Sequence, residues 1–308
     1  MVGPQAARAG RVTPRFTHFA AIDWSGAAGE RHRGIAVAMM AADDDAPHLI
    51  RPGHVWSRRE VLEWLVDEAP PQTIFGFDLG QSLPFADAGA FFPGWADSPP
   101  DARSLWAMVE AICADDPHLG VASFVDHPDI ARHFRRPRTK HEAGHEGDLF
   151  GGGRGRFRVT EAAQAAIGCS PTSNFNLVGA AQVGKGSLSG MRLLHRLPRD
   201  IAVWPMDTIT PGGKVVVEIY TTIAAIAAGR RARASKIRDG AALTDALAAL
   251  GCRIGAFSAW PETITDHAAD ALITAAWLRG HAHRGELWRP AMMNDKIAQT
   301  EGWTFGAL

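Results

Sequence analysis

The chain is poor in several features that define common classes of protein. Its three cysteines are odd in number and far apart, which argues against a disulfide framework or a Cys-x-x-Cys zinc site and suits a reducing compartment. The formal net charge is −1, so any site for a polyanion must be local. No apolar run reaches the roughly 18 residues of a membrane span, and the first 16 residues lack the apolar core of a signal peptide. We therefore expect a soluble cytoplasmic protein with no membrane partner, in which residues 1–15 form a disordered tail.

Strand-like and helix-like segments follow one another along the rest of the chain. A meander of three strands is predicted first, and then a helix over 58–69. A continuous apolar run, typical of a strand buried on both faces, comes next, and a last strand is followed by two helices. The predicted strands cover 17–26, 33–42, 48–57, 72–80 and 212–220. Residues 85–212 are rich in Gly, Pro, Arg and His, and we interpret them as a mostly helical insertion.

Residues 177–187, LVGAAQVGKGS, come within one residue of the phosphate-binding loop G-x-x-x-x-G-K-[ST]. Gly186 stands where that loop needs a metal-binding hydroxyl, and Ser187 comes one residue late. The two asparagines just upstream would also suit a central strand poorly. The pattern therefore favours a glycine-rich segment over a site for nucleotide hydrolysis.

Residues 140–148, KHEAGHEGD, contain the H-E-x-x-H pattern of zinc peptidases. That pattern works only on a helix, where both histidines face one side. Gly144 interrupts the motif and Gly147 follows it, so helix propensity is low. A polar loop is the better prediction here.

A set of acidic residues at strand ends carries more information than either motif. Charged groups that end apolar strands are costly to bury unless they are paired or bound to a metal. Each could separately be a turn residue, a salt-bridge partner or a helix cap, but together they suggest carboxylates that converge on divalent cations, as in two-metal phosphodiester hydrolysis. The candidates on strands are Asp23, Asp78 and Glu218, and the late helix adds Asp270 with its neighbours Asp266 and His267 on the same helical face.

The strand order and these acids resemble the ribonuclease H-like superfamily, and HAADALITAA is similar to the last catalytic helix of RuvC-type resolvases. More closely, the chain resembles a family of uncharacterised bacterial and archaeal proteins that are predicted ribonuclease H-like nucleases. The motifs that carry this resemblance run from residue 21 to residue 278: AIDWSG, GFDLGQSLP, FRVTE, SNFNLVGAAQVGKGSLSGM, VWPMD, VVVEIY and DHAADALITAAWL. Thr221 departs from the family, which often has proline there.

The resemblance implies a single ribonuclease H-like α/β domain over 16–308, with 85–212 inserted between the fourth and fifth strands. Its mixed sheet would have five strands, three antiparallel and then parallel, flanked by helices. The implied cofactor is Mg²⁺ or Mn²⁺, and the ligands would be Asp23, Asp78, Asp270 and Asp266. The implied catalytic residues are Asp23, Asp78, Glu218, His267 and Asp270.

The substrate would be a nucleic acid or another phosphodiester. Residues 135–158 hold seven basic and three acidic residues, a local charge of +4 that could hold phosphates, although such a run is also typical of a solvated loop. The predicted substrate-binding residues are Arg154, Arg156, Arg158 and Lys185. Two alternatives stay open: an ATP-dependent phosphotransferase of the actin-like class, and a non-catalytic binding module that keeps the fold.

Overall fold

The computed structural model describes residues 13–137, 144–179, 183–231, 236–254, 260 and 262–308. Within these ranges the strands are β1 (His18–Asp23), β2 (Arg31–His32), β3 (Ala36–Ala41), β4 (His48–Leu49), β5 (Trp56–Ser57), β6 (Thr73–Phe77), β7 (Arg135–Arg136), β8 (His145–Glu146), β9 (Ala202–Val203) and β10 (Val215–Glu218). The helices are α1 (Arg58–Glu63), α2 (Ala102–Ile112), α3 (Ala122–Asp126), α4 (Pro128–Ala131), α5 (Val159–Ala166), α6 (Val183–His195), α7 (Thr221–Ala227), α8 (Gly240–Ala249), α9 (Asp266–His281) and α10 (Asp295–Thr300). A π-helical turn at Trp64–Glu68 continues α1, and 3-10 turns lie at Pro117–Leu119 and Gly285–Trp288.

Six strands form the main sheet, in the order β4-β3-β1-β6-β10-β9. The first three pair antiparallel, and β1, β6, β10 and β9 pair parallel to one another. The prediction of an α/β protein with a mixed sheet is therefore confirmed. The predicted number of five strands is wrong, because β9 adds a sixth from within 85–212. Strand β9 has only two residues, which is too short to give a periodic pattern in the sequence.

The predicted third strand, over 48–57, also differs in the structure. Only His48–Leu49 joins the main sheet, while Trp56–Ser57 pairs with Arg31–His32 in a separate two-stranded sheet. A tight turn around Gly53, which has a positive φ of 78°, separates the two short strands. The segment is therefore two edge strands and not one.

The two faces of the main sheet pack against different sets of helices. Along β1 the side chains alternate, so that Ala20 and Ile22 join one apolar cluster and Phe19 and Ala21 join the other. The first cluster is completed by α2 and α6, both from 85–212, and the second by α7, α8 and α9. Helix α9 is apolar almost all round and lies across β1 and β3. Among the described residues, no helix is long and apolar enough to cross a bilayer.

Candidate functional site

Asp23 and Asp78 lie side by side at the carboxyl ends of two neighbouring parallel strands. Ile22 of β1 pairs with Phe77 of β6, and each aspartate is the next residue along its own strand. The backbone N–H of Asp78 donates to the carbonyl oxygen of Ile22 at 3.0 Å, which fixes this register. Because neighbours in one row of a sheet share a face, both carboxylates project towards the side that α9 covers.

Helix α9 brings His267 and Asp270 to the same place. The helix begins after Thr265, whose hydroxyl accepts a hydrogen bond from the N–H of Ala268 at 3.2 Å. Residues three apart share one side of a helix, so His267 and Asp270 both face the strand ends. His267 Nδ1 lies 3.3 Å from Asp23 Oδ2, and the Asp270 carboxylate accepts a short charged hydrogen bond from Lys236.

The charges of this group, which we call the acid cluster (Asp23, Asp78 and Asp270), act on one another. Burial raises the pKa of Asp23, against the opposing effect of His267. Burial also raises the pKa of Asp78 well above its ordinary value, and the charges of Asp23 and Asp270 raise it further. Asp78 has a weak polar partner, the Thr221 hydroxyl at 3.5 Å from its Oδ2. The cluster therefore concentrates negative charge that its protein partners offset only in part.

In the part of the chain that the structure describes, the basic residues His267 and Lys236 border the acid cluster. The hydrogen bond to Asp23 raises the pKa of His267 above its ordinary value, although burial acts the other way. Burial by itself would lower the pKa of Lys236, but the charge and hydrogen bond of Asp270, together with the charges of Asp23 and Asp78, outweigh burial and raise the pKa. Lys236 was not predicted from the sequence, since it lies outside every motif and only the fold brings it to α9.

Glu218 lies beside this group but on the opposite face of the sheet. It pairs with Phe77 of β6, one row away from Asp78, and side chains alternate between faces from row to row. Its carboxylate accepts two hydrogen bonds from Arg158, at 2.6 and 2.7 Å, and one from the N–H of Gln81 at 2.7 Å. The structure therefore gives Glu218 a buried ion pair and does not place it in the acid cluster.

The three predicted substrate-binding arginines all make contacts within the chain. Arg158 is 2% exposed, and its guanidinium lies between Glu161 and Glu218. Arg156 pairs with Asp87 at 2.6 Å, while Arg154 donates to the carbonyl oxygen of a proline and stays exposed. A phosphate could reach Arg158 only if its buried ion pairs opened.

Asp266, the remaining predicted ligand, pairs with Arg238, whose Nη2 atom lies 3.3 Å from its carboxylate. Burial by itself would raise the pKa of Asp266, but the hydrogen bond with Arg238, the charge of His267 and smaller contributions together lower it. Within the described ranges, no group of three or more His, Cys, Asp or Glu side chains is arranged to hold a metal ion. Asp23, Asp78 and Asp270 are thus neighbours that do not form a closed coordination shell.

Lys185 lies in the first described turn of α6, next to the loop that follows Asp23. A side chain at Gly26 would meet the backbone nitrogen of Gly186 at 2.4 Å, so the loop and the helix are in backbone contact. The indole N–H of Trp24 donates to the carbonyl oxygen of Gly186 and to Ser189 Oγ, both at 3.1 Å. These contacts hold the lysine-bearing turn at the carboxyl end of β1.

The structure also bears on the two sequence motifs, the partial phosphate-binding loop at 177–187 and the H-E-x-x-H pattern within 140–148. The hydroxyl of Ser187 is buried and accepts a hydrogen bond from the N–H of Gly80 at 3.1 Å. Gly186 lies against Gly26, so neither Ser187 nor Gly186 faces an open position for a phosphate. Residues 180–182 of that motif lie outside the described residues. So do residues 141–143 of the H-E-x-x-H motif, whose second histidine lies on the short strand β8 and not on a helix.

Comparisons with protein-family models, with curated proteins and with solved structures find no match for this chain.

Proposed function

We propose that this protein is a metal-dependent phosphodiesterase of ribonuclease H-like fold that acts on DNA or RNA. The observation that carries the proposal is the pair of aspartates at the carboxyl ends of β1 and β6, joined there by Asp270 of α9. The strand order also supports the fold, since a central β1 has an antiparallel meander on one side and parallel strands on the other.

The donor set suits Mg²⁺ or Mn²⁺, which prefer carboxylate oxygens. The pKa of Asp78 is strongly raised, and its carboxylate has one weak hydrogen bond with the described residues, so a nearby divalent cation would stabilise its charged form. Asp23, Asp78 and Asp270 would hold the cation, with Asp266 as an outer residue. When bound, such an ion activates water and stabilises the leaving oxygen of a phosphodiester.

His267 is suited to move a proton at its Nε2 atom. Its Nδ1 atom is held by Asp23, which orients the ring and leaves Nε2 for other partners. A Cβ atom added at Gly34 would lie 3.5 Å from Nε2, and the His267 side chain is 42% exposed. The raised pKa keeps the ring protonated to higher pH, as a general acid for the leaving oxygen requires.

Lys185 would bind a phosphate of the substrate and not a nucleoside triphosphate. It is half-buried in the turn of α6 that contacts the loop after Asp23. A cation at that point adds affinity for any phosphodiester backbone without reading its bases. We therefore expect Lys185→Ala to weaken substrate binding and to leave Mn²⁺ binding intact.

The test compares Asp23→Asn with Asp245→Asn, an exposed aspartate on α8 that serves as the matched control. Both proteins are assayed with Mn²⁺ on single-stranded and double-stranded DNA and RNA. We expect Asp23→Asn to lose cleavage and the control to keep it. Cleavage by Asp23→Asn at the wild-type rate would refute the site.

The same proteins separate the two alternatives. Calorimetric binding of a non-hydrolysable ATP analogue, without cleavage of any nucleic acid, would favour a phosphotransferase of the actin-like class. Failure of the wild-type protein to bind Mn²⁺ at millimolar concentration would favour a non-catalytic module.

A further inference from the structure

Lys236 is the cation that contacts Asp270, on the open side of the acid cluster. Its ammonium donates to Asp270 Oδ2, and its charge also lowers the pKa values of Asp23 and Asp78. One lysine therefore interacts with all three carboxylates that the proposed function assigns to the metal.

The exposure of the two partners is unequal. The side chain of Lys236 is 56% exposed, whereas that of Asp270 is 13% exposed. The carboxylate is thus fixed in the fold, and the ammonium reaches it from the solvent side on a flexible four-carbon stem. Exposed ion pairs of this kind contribute little to stability, so the lysine can leave at small cost.

We propose that Lys236 is a built-in competitor for the divalent cation: its ammonium holds Asp270 in the metal-free protein and leaves that carboxylate when the cation binds. This inference rests on the proposed function, because it concerns the same three carboxylates. In the absence of a cation, the Lys236 ammonium supplies positive charge beside all three carboxylates.

The first test measures Mn²⁺ affinity directly, by calorimetry and by the electron paramagnetic resonance signal of free Mn²⁺ at one fixed pH. Lys236→Met keeps the length of the side chain and removes its charge, and Lys236→Arg keeps the charge. We expect the methionine variant to bind Mn²⁺ about tenfold more tightly than wild type, because a like charge no longer opposes the ion. The arginine variant is expected within about threefold of wild type.

The matched control is Arg238→Met, two residues along the chain. Arg238 also pairs with a carboxylate of α9, but its partner is Asp266, which is not one of the three residues of the acid cluster. We expect this variant to bind Mn²⁺ within about threefold of wild type. An equal gain in both methionine variants would mean that only net charge matters, and it would overturn the specific role of Lys236.

The second test follows the lysine itself. Amine-reactive labelling of Lys236 in the wild-type protein, measured by peptide mass spectrometry, is expected to proceed several-fold faster after Mn²⁺ is added. Unchanged or slower labelling would overturn the inference, because the ammonium would then keep its partner in the loaded protein.

The outcomes also separate this inference from the proposed function. If wild type binds Mn²⁺ and Lys236→Met binds it equally or more weakly, the competitor role fails and the phosphodiesterase proposal stands. If neither protein binds Mn²⁺ up to millimolar concentration, both fail.

Discussion

Replacing Arg158 with methionine would test whether this residue is an internal counter-ion or a substrate contact. Its guanidinium donates to Glu161 and Glu218 and to the carbonyl oxygen of Glu301, so its donors are directed inward. Glu161 and Glu218 are 5% and 3% exposed. Methionine would fill much of the same volume and leave both carboxylates without their cation.

Removing one partner from a buried ion pair costs about 3–5 kcal/mol, because it leaves an uncompensated charge in a medium of low polarity. At roughly 2.1 cal/mol/K of unfolding entropy per residue, a chain of 308 residues loses about 1.5 °C of melting temperature for each kcal/mol. We therefore expect Arg158→Met to lower the melting temperature by roughly 5–8 °C.

The loss of stability caused by Arg158→Met should be larger at higher pH. Burial raises the pKa of Glu161 from its ordinary 4.5 to about 7 even with Arg158 beside it, so the folded state binds this proton more tightly than the unfolded state. Stability therefore falls as pH rises from 4.5 through 7. Without Arg158 the pKa of Glu161 in the folded state rises further, so stability falls over a wider range of pH. Arg158→Met should consequently be destabilised more at pH 8.0 than at pH 5.5.

The assay is urea unfolding followed by circular dichroism at both pH values. The control is Arg59→Met, which removes an 85% exposed arginine from its partner Glu63, one helical turn away. This substitution should change the free energy of unfolding by less than about 1 kcal/mol. An Arg158→Met protein as stable as wild type that no longer binds nucleic acid would refute the counter-ion role. That result would instead support the prediction that Arg158 binds the substrate.

Two further changes test the acid cluster and its neighbouring loop. Asp78→Asn should abolish cleavage and raise the melting temperature at pH 7.5 by about 1.5 °C for each kcal/mol of repulsion removed. A lower melting temperature in differential scanning calorimetry would contradict the charge argument. Gly26→Ala should destabilise by about 1–3 kcal/mol, because the new methyl group meets backbone atoms of Gly186 that cannot move aside. Gly280→Ala, in open space on α9, should match or exceed wild-type stability in the same melts.

Much of the sheet could be predicted because its central strands have strong local patterns. The apolar runs of β1 and β6 are long enough to identify, and helix α9 is apolar over four turns. The start of helix α6 could not be predicted in the same way, since Gly184 and Gly186 lie within it despite their low helix propensity. Those glycines allow the helix to approach the Asp23 loop closely, a requirement that only the tertiary structure reveals.

The candidate site was predictable to the extent that strand ends define it. Asp23 and Asp78 follow apolar strands that proved to be parallel neighbours, so their proximity follows from the topology. Lys236 and Arg158 carry no such signal, because an ion pair between distant segments depends on how loops and helices dock. The +4 charge of 135–158 was a weak guide for the same reason: Arg158 compensates buried acids, and Arg156 pairs with Asp87 at the surface.

Glu218 shows why an acidic residue in the right strand can still lie outside a site. Its strand runs parallel to β6 in a register that pairs Glu218 with Phe77, so the residue beside Asp78 is Ile219. A shift of one residue in the pairing of β10 with β6 would move the Glu218 side chain to the other face of the sheet, and this register could not be predicted from the sequence. Glu218 can therefore act on the acid cluster only at a distance, through its weak upward effect on the pKa of Asp78. Its direct partner is Arg158, so its removal should be felt first as a loss of stability and only then as a change in chemistry.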